Sequence, residues 1–192
     1  MTPAQTARML LRLHGWTAHV QDDLPERCVV VAEPHTSNWD GYYMVLGSLA
    51  LGLEAHWMIK AEHDRGVIGD LLRKTRAVFV ERGKGGAVRS VVEAFKGKER
   101  MRLSIAASGT RKHTDHWRTG FLQIAREADV PLALGYVDYA RKQVGIGPAV
   151  DCHLPDDELM AIMTEFYADK TAAIPANKSP VVWTSQAANR KG

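Results

Sequence analysis

The sequence predicts a single α/β domain in which a mostly parallel, twisted sheet is flanked by helices on both faces. Short runs rich in Val, Ile and Phe alternate with helix-length segments through much of the chain, which is the pattern of strand–helix–strand units in a parallel sheet. The length of 192 residues and the composition, 45% hydrophobic and 24% charged, fit one globular core. We therefore expect residues 1–192 to form one domain without an independent second unit.

The first element is predicted to be an amphipathic helix within residues 1–15. Thr2 is a suitable N-cap, Pro3 suits the first helical position, and Gly15 suits the end of the helix. The residues between them combine apolar and basic side chains, namely Arg8, Met9, Leu10, Arg12 and Leu13. Such a helix could lie on the protein or on a membrane surface.

The remaining elements alternate along the chain. Strands are predicted at 28–32, 55–59, 77–80, 102–106 and 131–137, and helices from about residue 40 and at 66–74, 87–95 and 119–128. Residues 144–150 should add one or two edge strands, and 156–173 should form a helix that Pro155 begins and Pro175 ends. Residues 28–152 should form the catalytic core, and the polar residues 184–192 a flexible tail.

The cysteines and the apolar runs indicate a cytoplasmic protein. Cys28 and Cys152 are far apart and not at a metal-binding spacing, so we expect two reduced thiols. No segment resembles a secretory signal or approaches the roughly 20 apolar residues that span a bilayer. The protein could still bind peripherally to the inner face of the cytoplasmic membrane.

Positive charge is concentrated in the middle of the chain. Residues 60–118 contain fifteen lysines and arginines against seven acidic residues, although the whole chain has a net charge of only +3. This excess predicts an anionic partner such as a phosphate group, a nucleic acid or an anionic membrane. A solvated basic face remains the alternative interpretation.

The first loop with a chemical pattern is 34–40, between a Val-rich strand and a helix. It places His35 and Asp40 five positions apart. An acidic partner on one ring nitrogen fixes the tautomer of a histidine and stabilises its protonated form, so that the other nitrogen can take a proton. The alternative is that Asp40 only caps the helix. Ser37 lacks the G-x-S-x-G pattern of a nucleophile and fits a capping role better.

Two later loops combine glycines with cations. The loop at 81–86 contains Arg82 and Lys84, and the loop at 107–113 contains Gly109, Thr110 and Arg111. Backbone N–H groups, cations and a helix N-terminus together favour a phosphate group. Either loop alone could be an ordinary surface turn.

Together, these loops resemble the lysophospholipid and glycerolipid acyltransferase family, whose familiar members are bacterial lysophosphatidate acyltransferases. The sequence HTSNWD at 35–40 is similar to the family signature of a His, four residues and an Asp. The stretch from 60–62 through 79–82 resembles the second block of the family, 109–111 its third and 130–132 its fourth. The resemblance spans roughly 29–147, and four blocks in register are far more specific than any one of them.

The resemblance implies a glycerol-3-phosphate acyltransferase-like fold and direct acyl transfer. His35, with Asp40 as its partner, would deprotonate an acceptor hydroxyl as it attacks an acyl thioester of CoA or acyl-carrier protein. The phosphate of an acceptor such as 1-acyl-glycerol-3-phosphate would be bound by Lys60, Arg82, Gly109, Thr110 and Arg111. No cofactor, metal ion or nucleic acid is implied, and peripheral contact with an anionic membrane fits the basic middle segment. Candidates for lining an acyl channel are Met44, Trp57, Met58 and Leu71, although such residues are more often plain core.

One departure from the family leaves alternatives open. The third block usually reads Glu-Gly-Thr-Arg, whereas Ser108 precedes Gly109 in this chain. Loss of that carboxylate would be compatible with a different alcohol or amine acceptor. A zinc hydrolase using His113, Asp115 and His116 has poor ligand spacing. A binding module for nucleic acid or anionic membranes without catalysis would use the basic middle segment, but no known nucleic-acid motif accompanies it.

Overall fold

The fold is a seven-stranded sheet with helices on both faces. The computed structural model describes residues 1–21, 23–60, 64–66, 69–70, 76–80 and 86–183, with residues 59 and 60 in backbone only. The strands are β1 (Thr17–Val20), β2 (Arg27–Glu33), β3 (Ala55–Lys60), β4 (Ala77–Val80), β5 (Met101–Ile105), β6 (Leu132–Asp138) and β7 (Gln143–Val150). The helices in the described ranges are α1 (Pro3–Leu13), α2 (Asn38–Leu51), α3 (Gly86–Phe95), α4 (Gly120–Ala128) and α5 (Asp156–Ala168), and a 3₁₀ turn covers Pro175–Asn177.

The strand order is β1-β7-β6-β2-β5-β3-β4. The strands from β6 to β4 are all parallel, whereas β7 is antiparallel to β6 and parallel to β1. The prediction of a mostly parallel α/β sheet is confirmed. Parallel strands joined by helices are buried on both faces, and β2 is accordingly apolar at every position from Cys28 to Ala32.

Three details of the predicted elements are wrong. Residues 144–150 do not form edge strands, because β7 pairs with β6 on one side and with β1 on the other. The edge strand β1 was not predicted, because an alternation of only four residues, two of them exposed, is too short to be a distinct strand signal. The last helix ends at Ala168 rather than 173, because Thr171 donates its N–H to the Asp138 carboxylate (3.3 Å) and thereby ties the chain to the end of β6.

The two faces of the sheet have separate apolar cores. Alternate residues of β2 point to opposite faces, so Val29 and Val31 pack with α3, α4 and α5, whereas Val30 faces the other side. Helices α1 and α2 cover that second face. Gly47 of α2 permits close packing there, because a Cβ at this position would lie 2.8 Å from Val144 Cγ1.

The parallel strands end at one edge of the sheet, and this places the loops. The His35 loop follows β2, the Gly109 loop follows β5, and Tyr139 follows β6. Ligands of open α/β sheets bind beyond the carboxyl ends of the strands. The predicted helix at 66–74 and the predicted tail at 184–192 lie mostly or wholly outside the described residues. No helix within the described part of the chain is long and apolar enough to cross a membrane.

Candidate active site

His35 and Asp40 lie side by side at the start of α2. His35 Nδ1 is 3.3 Å from Asp40 Oδ2, with 28% of the His35 side chain and 4% of the Asp40 side chain exposed. With a carboxylate facing Nδ1, the proton of a neutral imidazole is held there and Nε2 is left as an acceptor. The geometry therefore suits a general base with an acidic partner.

Asp40 also stabilises the first turn of α2. Its Oδ2 accepts hydrogen bonds from the backbone N–H groups of Thr36 (2.6 Å) and Ser37 (2.7 Å). Ser37 is the N-cap, so the pair forms a capping box. The two interpretations of Asp40 from sequence are thus compatible, because one buried carboxylate both caps the helix and contacts His35.

Tyr139, the residue that follows β6, is a further partner of Asp40. Its hydroxyl donates to Asp40 Oδ1 at 2.7 Å. Burial alone would raise the pKa of Asp40, but the hydrogen bonds from His35, Ser37, Tyr139 and Thr36 together hold it below its usual value. Burial and the bond to this carboxylate raise the pKa of the Tyr139 hydroxyl. Asp40 is therefore an anion at neutral pH, with both oxygens hydrogen-bonded.

Glu33, the last residue of β2, places a second carboxylate beside the site. It is only 4% exposed, and its Oε2 accepts the N–H of His35 (2.8 Å) while its Oε1 accepts the N–H of Ser108 (2.7 Å). Burial raises the pKa of Glu33, and the hydrogen bonds from Ser108 and His35 act in the opposite direction. One side chain thus joins the His35 loop to the Gly109 loop.

The Gly109 loop lies opposite the N-terminus of α2. Gly109 has φ +67°, a conformation that favours glycine, and a Cβ there would lie 2.7 Å from Arg118 Cδ. Arg111 donates from its guanidinium to Asn38 Oδ1, across the gap between the two loops. The loop therefore presents Thr110, Arg111 and the neighbouring Lys112 to the same space as His35.

Two cavities meet at His35. A cavity of about 240 Å³ is lined largely by apolar side chains, among them Met44, Trp57, Met58 and Val137. A larger cleft of about 840 Å³ has a mixed lining, whose polar and basic groups include Ser37, Asn38, Thr110, Arg111, Lys112 and Asn177. His35, Met58, Ser104 and Ala106 line both. The imidazole therefore stands where an apolar group and an anionic group could be brought together.

Some predicted site residues lie outside the described part of the structure. Arg82 and Leu71 are not among the described residues, and Lys60 is described only in its backbone, which pairs with Val80 at the carboxyl end of β4. The structure brings together His35, Asp40, Gly109, Thr110 and Arg111. The phosphate-binding roles of Lys60 and Arg82 remain predictions.

The alternative zinc ligands do not all converge, although His113 Nε2 lies 3.6 Å from Asp115 Oδ1. Within the described residues, the three side chains whose ligand atoms approach one another are those of the exposed Asp151 and His153 and the buried Cys152. His113 Nδ1 instead lies 3.0 Å from the carbonyl oxygen of Lys178. The loop of His113 packs on the C-terminal segment and does not form a three-ligand group.

Sequence reasoning missed four residues of the site. Glu33 and Tyr139 carry no motif of their own, and Ile174 and Asn177 come from a segment far along the chain. The Ile174 N–H donates to Thr36 Oγ1 (3.2 Å), which brings that segment to the cleft. Only the position of Glu33 at the end of the strand before His35 could have indicated a role.

Comparison with known proteins agrees with the family resemblance. The sequence profile of the family described as Acyltransferase matches residues 16–133. The fold is similar to that of the 1-acyl-sn-glycerophosphate (LPA) acyltransferase PlsC from Thermotoga maritima, with a TM-score of 0.58 and 16% sequence identity, covering 85% of this chain and 74% of that chain. No curated protein matches the sequence significantly. Tyr139, Ile174 and Asn177 lie beyond the range that the family profile matches.

Proposed function

Because the chain belongs to the Acyltransferase family, we propose that it transfers a fatty acyl group from an acyl thioester to the hydroxyl of a phosphate-bearing lipid such as 1-acyl-glycerol-3-phosphate. The observation that carries this proposal is the position of the His35–Asp40 pair where an apolar cavity meets a basic cleft. An acyl chain and a phosphate group need environments of these two kinds, on either side of the reacting atoms.

The proposed chemistry uses His35 as a general base. Its Nε2 takes the proton of the acceptor hydroxyl while the oxygen attacks the thioester carbonyl, and Asp40 stabilises the imidazolium that forms. The tetrahedral intermediate then expels the thiolate, which takes the proton back from His35. The products are the acylated acceptor and a free thiol, with no acyl-enzyme and no change in the net proton count.

The basic cleft is proposed to hold the acceptor phosphate. Arg111 and Lys112 provide cations there, and Thr110 provides a hydroxyl. A guanidinium matches the geometry of phosphate oxygens and binds them through charge-assisted hydrogen bonds. Holding the phosphate fixes the hydroxyl near His35 and so reduces the entropy that the transition state must lose.

The apolar cavity is proposed to hold the acyl chain next to the thioester. Met44, Trp57 and Met58 line it, all three of which are predicted channel candidates. Each CH₂ group that leaves water there contributes roughly 0.8 kcal/mol to binding. Acyl-CoA donors of increasing chain length should therefore bind more tightly until the cavity is filled.

The experiment that tests the proposal is thiol release from acyl-CoA in the presence of lysophosphatidate. His35→Ala should lower kcat by roughly 10²- to 10⁴-fold with little change in Tm, because the lost group acts in the chemical step. A matched control is His153→Ala, which breaks a His–Asp pair of 3.1 Å with Asp129 in another part of the protein. Full activity of His35→Ala would remove His35 from the mechanism. Salt-dependent retention on DNA without thiol release would instead favour a binding module.

A second candidate is the same transfer onto a different alcohol or an amine. It is favoured by Ser108, which stands where the third block of the family usually has a glutamate. A panel of phosphorylated and unphosphorylated acceptors distinguishes the two candidates. Faster thiol release with an unphosphorylated alcohol or amine than with lysophosphatidate would support the second.

A further inference from the structure

We propose that Glu33 is a positioning residue, which holds the loop of His35 in register with the loop of Gly109 so that the base and the acceptor-binding groups face one substrate. This inference rests on the function proposed above. Glu33 belongs to neither loop and is not part of the His/Asp signature at 35–40.

The contacts of the Glu33 carboxylate define the role. One oxygen accepts the N–H of His35 at 2.8 Å, and the other accepts the N–H of Ser108 at 2.7 Å. Ser108 in turn donates from Oγ to the Thr110 carbonyl oxygen at 3.0 Å. A displacement of Glu33 would therefore be passed to the base on one side and to the phosphate-binding loop on the other.

Burial strengthens the hydrogen bonds by which Glu33 holds the two loops in position. Glu33 is 4% exposed, so water does not compete freely for its oxygens. A buried carboxylate is costly unless hydrogen bonds compensate for its lost hydration, and an apolar residue would be cheaper to bury at the end of a strand. The other link between the loops, from Arg111 to Asn38, lies between exposed side chains and holds the loops less firmly.

The neighbour of Glu33 is the residue at which the chain departs from its family. Ser108 occupies the position of the usual glutamate in the third block, and its backbone N–H donates to Glu33 Oε1 at 2.7 Å. A carboxylate is thus still present beside the Gly109 loop, but it comes from the end of β2. We expect Glu33 to maintain the geometry of this loop in a chain that has no glutamate at position 108.

The first test measures the proposed contact without any activity. Glu33→Gln preserves the side-chain volume but leaves one oxygen for two N–H donors. Amide hydrogen exchange of His35 and Ser108, relative to that of Val30 within β2, should accelerate by roughly 10- to 100-fold, the equivalent of a lost hydrogen bond to a charged group. The amides of Thr36 and Ser37, which are bonded to Asp40, should keep their protection. Unchanged relative protection of His35 and Ser108 would overturn the inference.

The second test measures coupling to the acceptor. Glu33→Gln should lower kcat/KM for the phosphorylated acceptor by roughly 10- to 100-fold, because a displacement of about 1 Å has effects of this size. In a double-mutant cycle with Arg111→Ala, the double variant should be little worse than the poorer single variant, since both act through the same loop. Losses that simply multiply would show that Glu33 does not act through this loop.

A control variant distinguishes the loss of the Glu33 carboxylate from the loss of any carboxylate near β2. Glu26→Gln removes a carboxylate just before the opposite end of β2, where it pairs with the exposed Arg100 (2.9 Å) and with Arg102 (3.5 Å). Arg102 keeps its hydrogen bond to the Pro25 carbonyl oxygen (2.9 Å), so the change should leave kcat/KM unchanged. The exchange measurement decides the role of Glu33 even if the protein uses another acceptor. Absence of thiol release by the unaltered protein would contradict the proposed function and would leave the exchange result valid.

Discussion

Asp40→Asn provides the most direct test of the proposed base, because the change removes a charge and keeps the shape. The amide oxygen can take the place of Oδ2 and still accept the N–H groups of Thr36 and Ser37. Its NH₂ group would then face the Tyr139 hydroxyl, whose oxygen can accept a hydrogen bond. The capping box is thereby kept in large part, and the free energy of unfolding should fall by only about 1 kcal/mol.

The expected loss of rate follows from the separation of the pair. At an effective dielectric constant of about 20, unit charges 3.3 Å apart attract by about 5 kcal/mol. That attraction exists only when His35 is protonated, as it is after it has taken the acceptor proton. If most of it is realised in the transition state, its loss lowers kcat by on the order of 10³-fold.

The assay is thiol release at saturating acyl-CoA and acceptor, together with thermal unfolding. Asp151→Asn is a matched control, because Asp151 accepts the N–H of His153 (2.9 Å) in an exposed turn outside the site. It should retain full activity. If Asp40→Asn keeps kcat within about fivefold of the unaltered protein while remaining folded, Asp40 acts only as a helix cap and its 3.3 Å contact with His35 does not contribute to the rate.

Three further changes are predicted to have separable effects. Arg111→Ala should raise KM for a phosphorylated acceptor by roughly 10- to 100-fold and leave KM for acyl-CoA unchanged, since it removes a charge-assisted contact; equal effects on both substrates would argue against phosphate binding. Tyr139→Phe should lower the free energy of unfolding by about 1.5 to 3 kcal/mol at neutral pH. The hydrogen bond from Tyr139 helps to lower the pKa of Asp40 in the folded protein. The stabilisation that it provides is therefore fully present above the pKa of Asp40 in the unfolded chain, about 3.9, and is lost as the pH falls through the lower pKa of Asp40 in the folded protein. Unfolding measured from pH 7 to 3 should show the difference shrinking below about pH 4, and a difference independent of pH would separate Tyr139 from Asp40. Leu13, which is 73% exposed on α1, should contact anionic liposomes, so Leu13→Glu should reduce flotation; the same loss with Val182→Glu would show that the effect is not specific to α1.

The class of fold and the local chemistry of the first loop could both be predicted from the order of the residues. Regular alternation of apolar runs and helical segments is a local pattern, and it predicted the parallel core of the sheet. The spacing of His35 and Asp40 is local as well, because a turn of six residues can close only in a few ways. Their proximity was therefore predictable, and the structure places His35 Nδ1 3.3 Å from Asp40 Oδ2. Their catalytic roles stay predictions.

The surroundings of the His35–Asp40 pair depend on long-range contacts that form only in the folded chain. Tyr139 reaches Asp40 across 99 positions of sequence, and Glu33 reaches Ser108 across 75. Ile174 contacts Thr36 across 138 positions of sequence. Contacts of this kind depend on which strands become neighbours in the sheet. The composition of a strand does not reveal its neighbours, as the position of β7 inside the sheet rather than at its edge shows. A hydrogen bond between distant residues leaves no period or motif in the sequence, because its geometry exists only after the sheet has brought the carboxyl ends of its strands together.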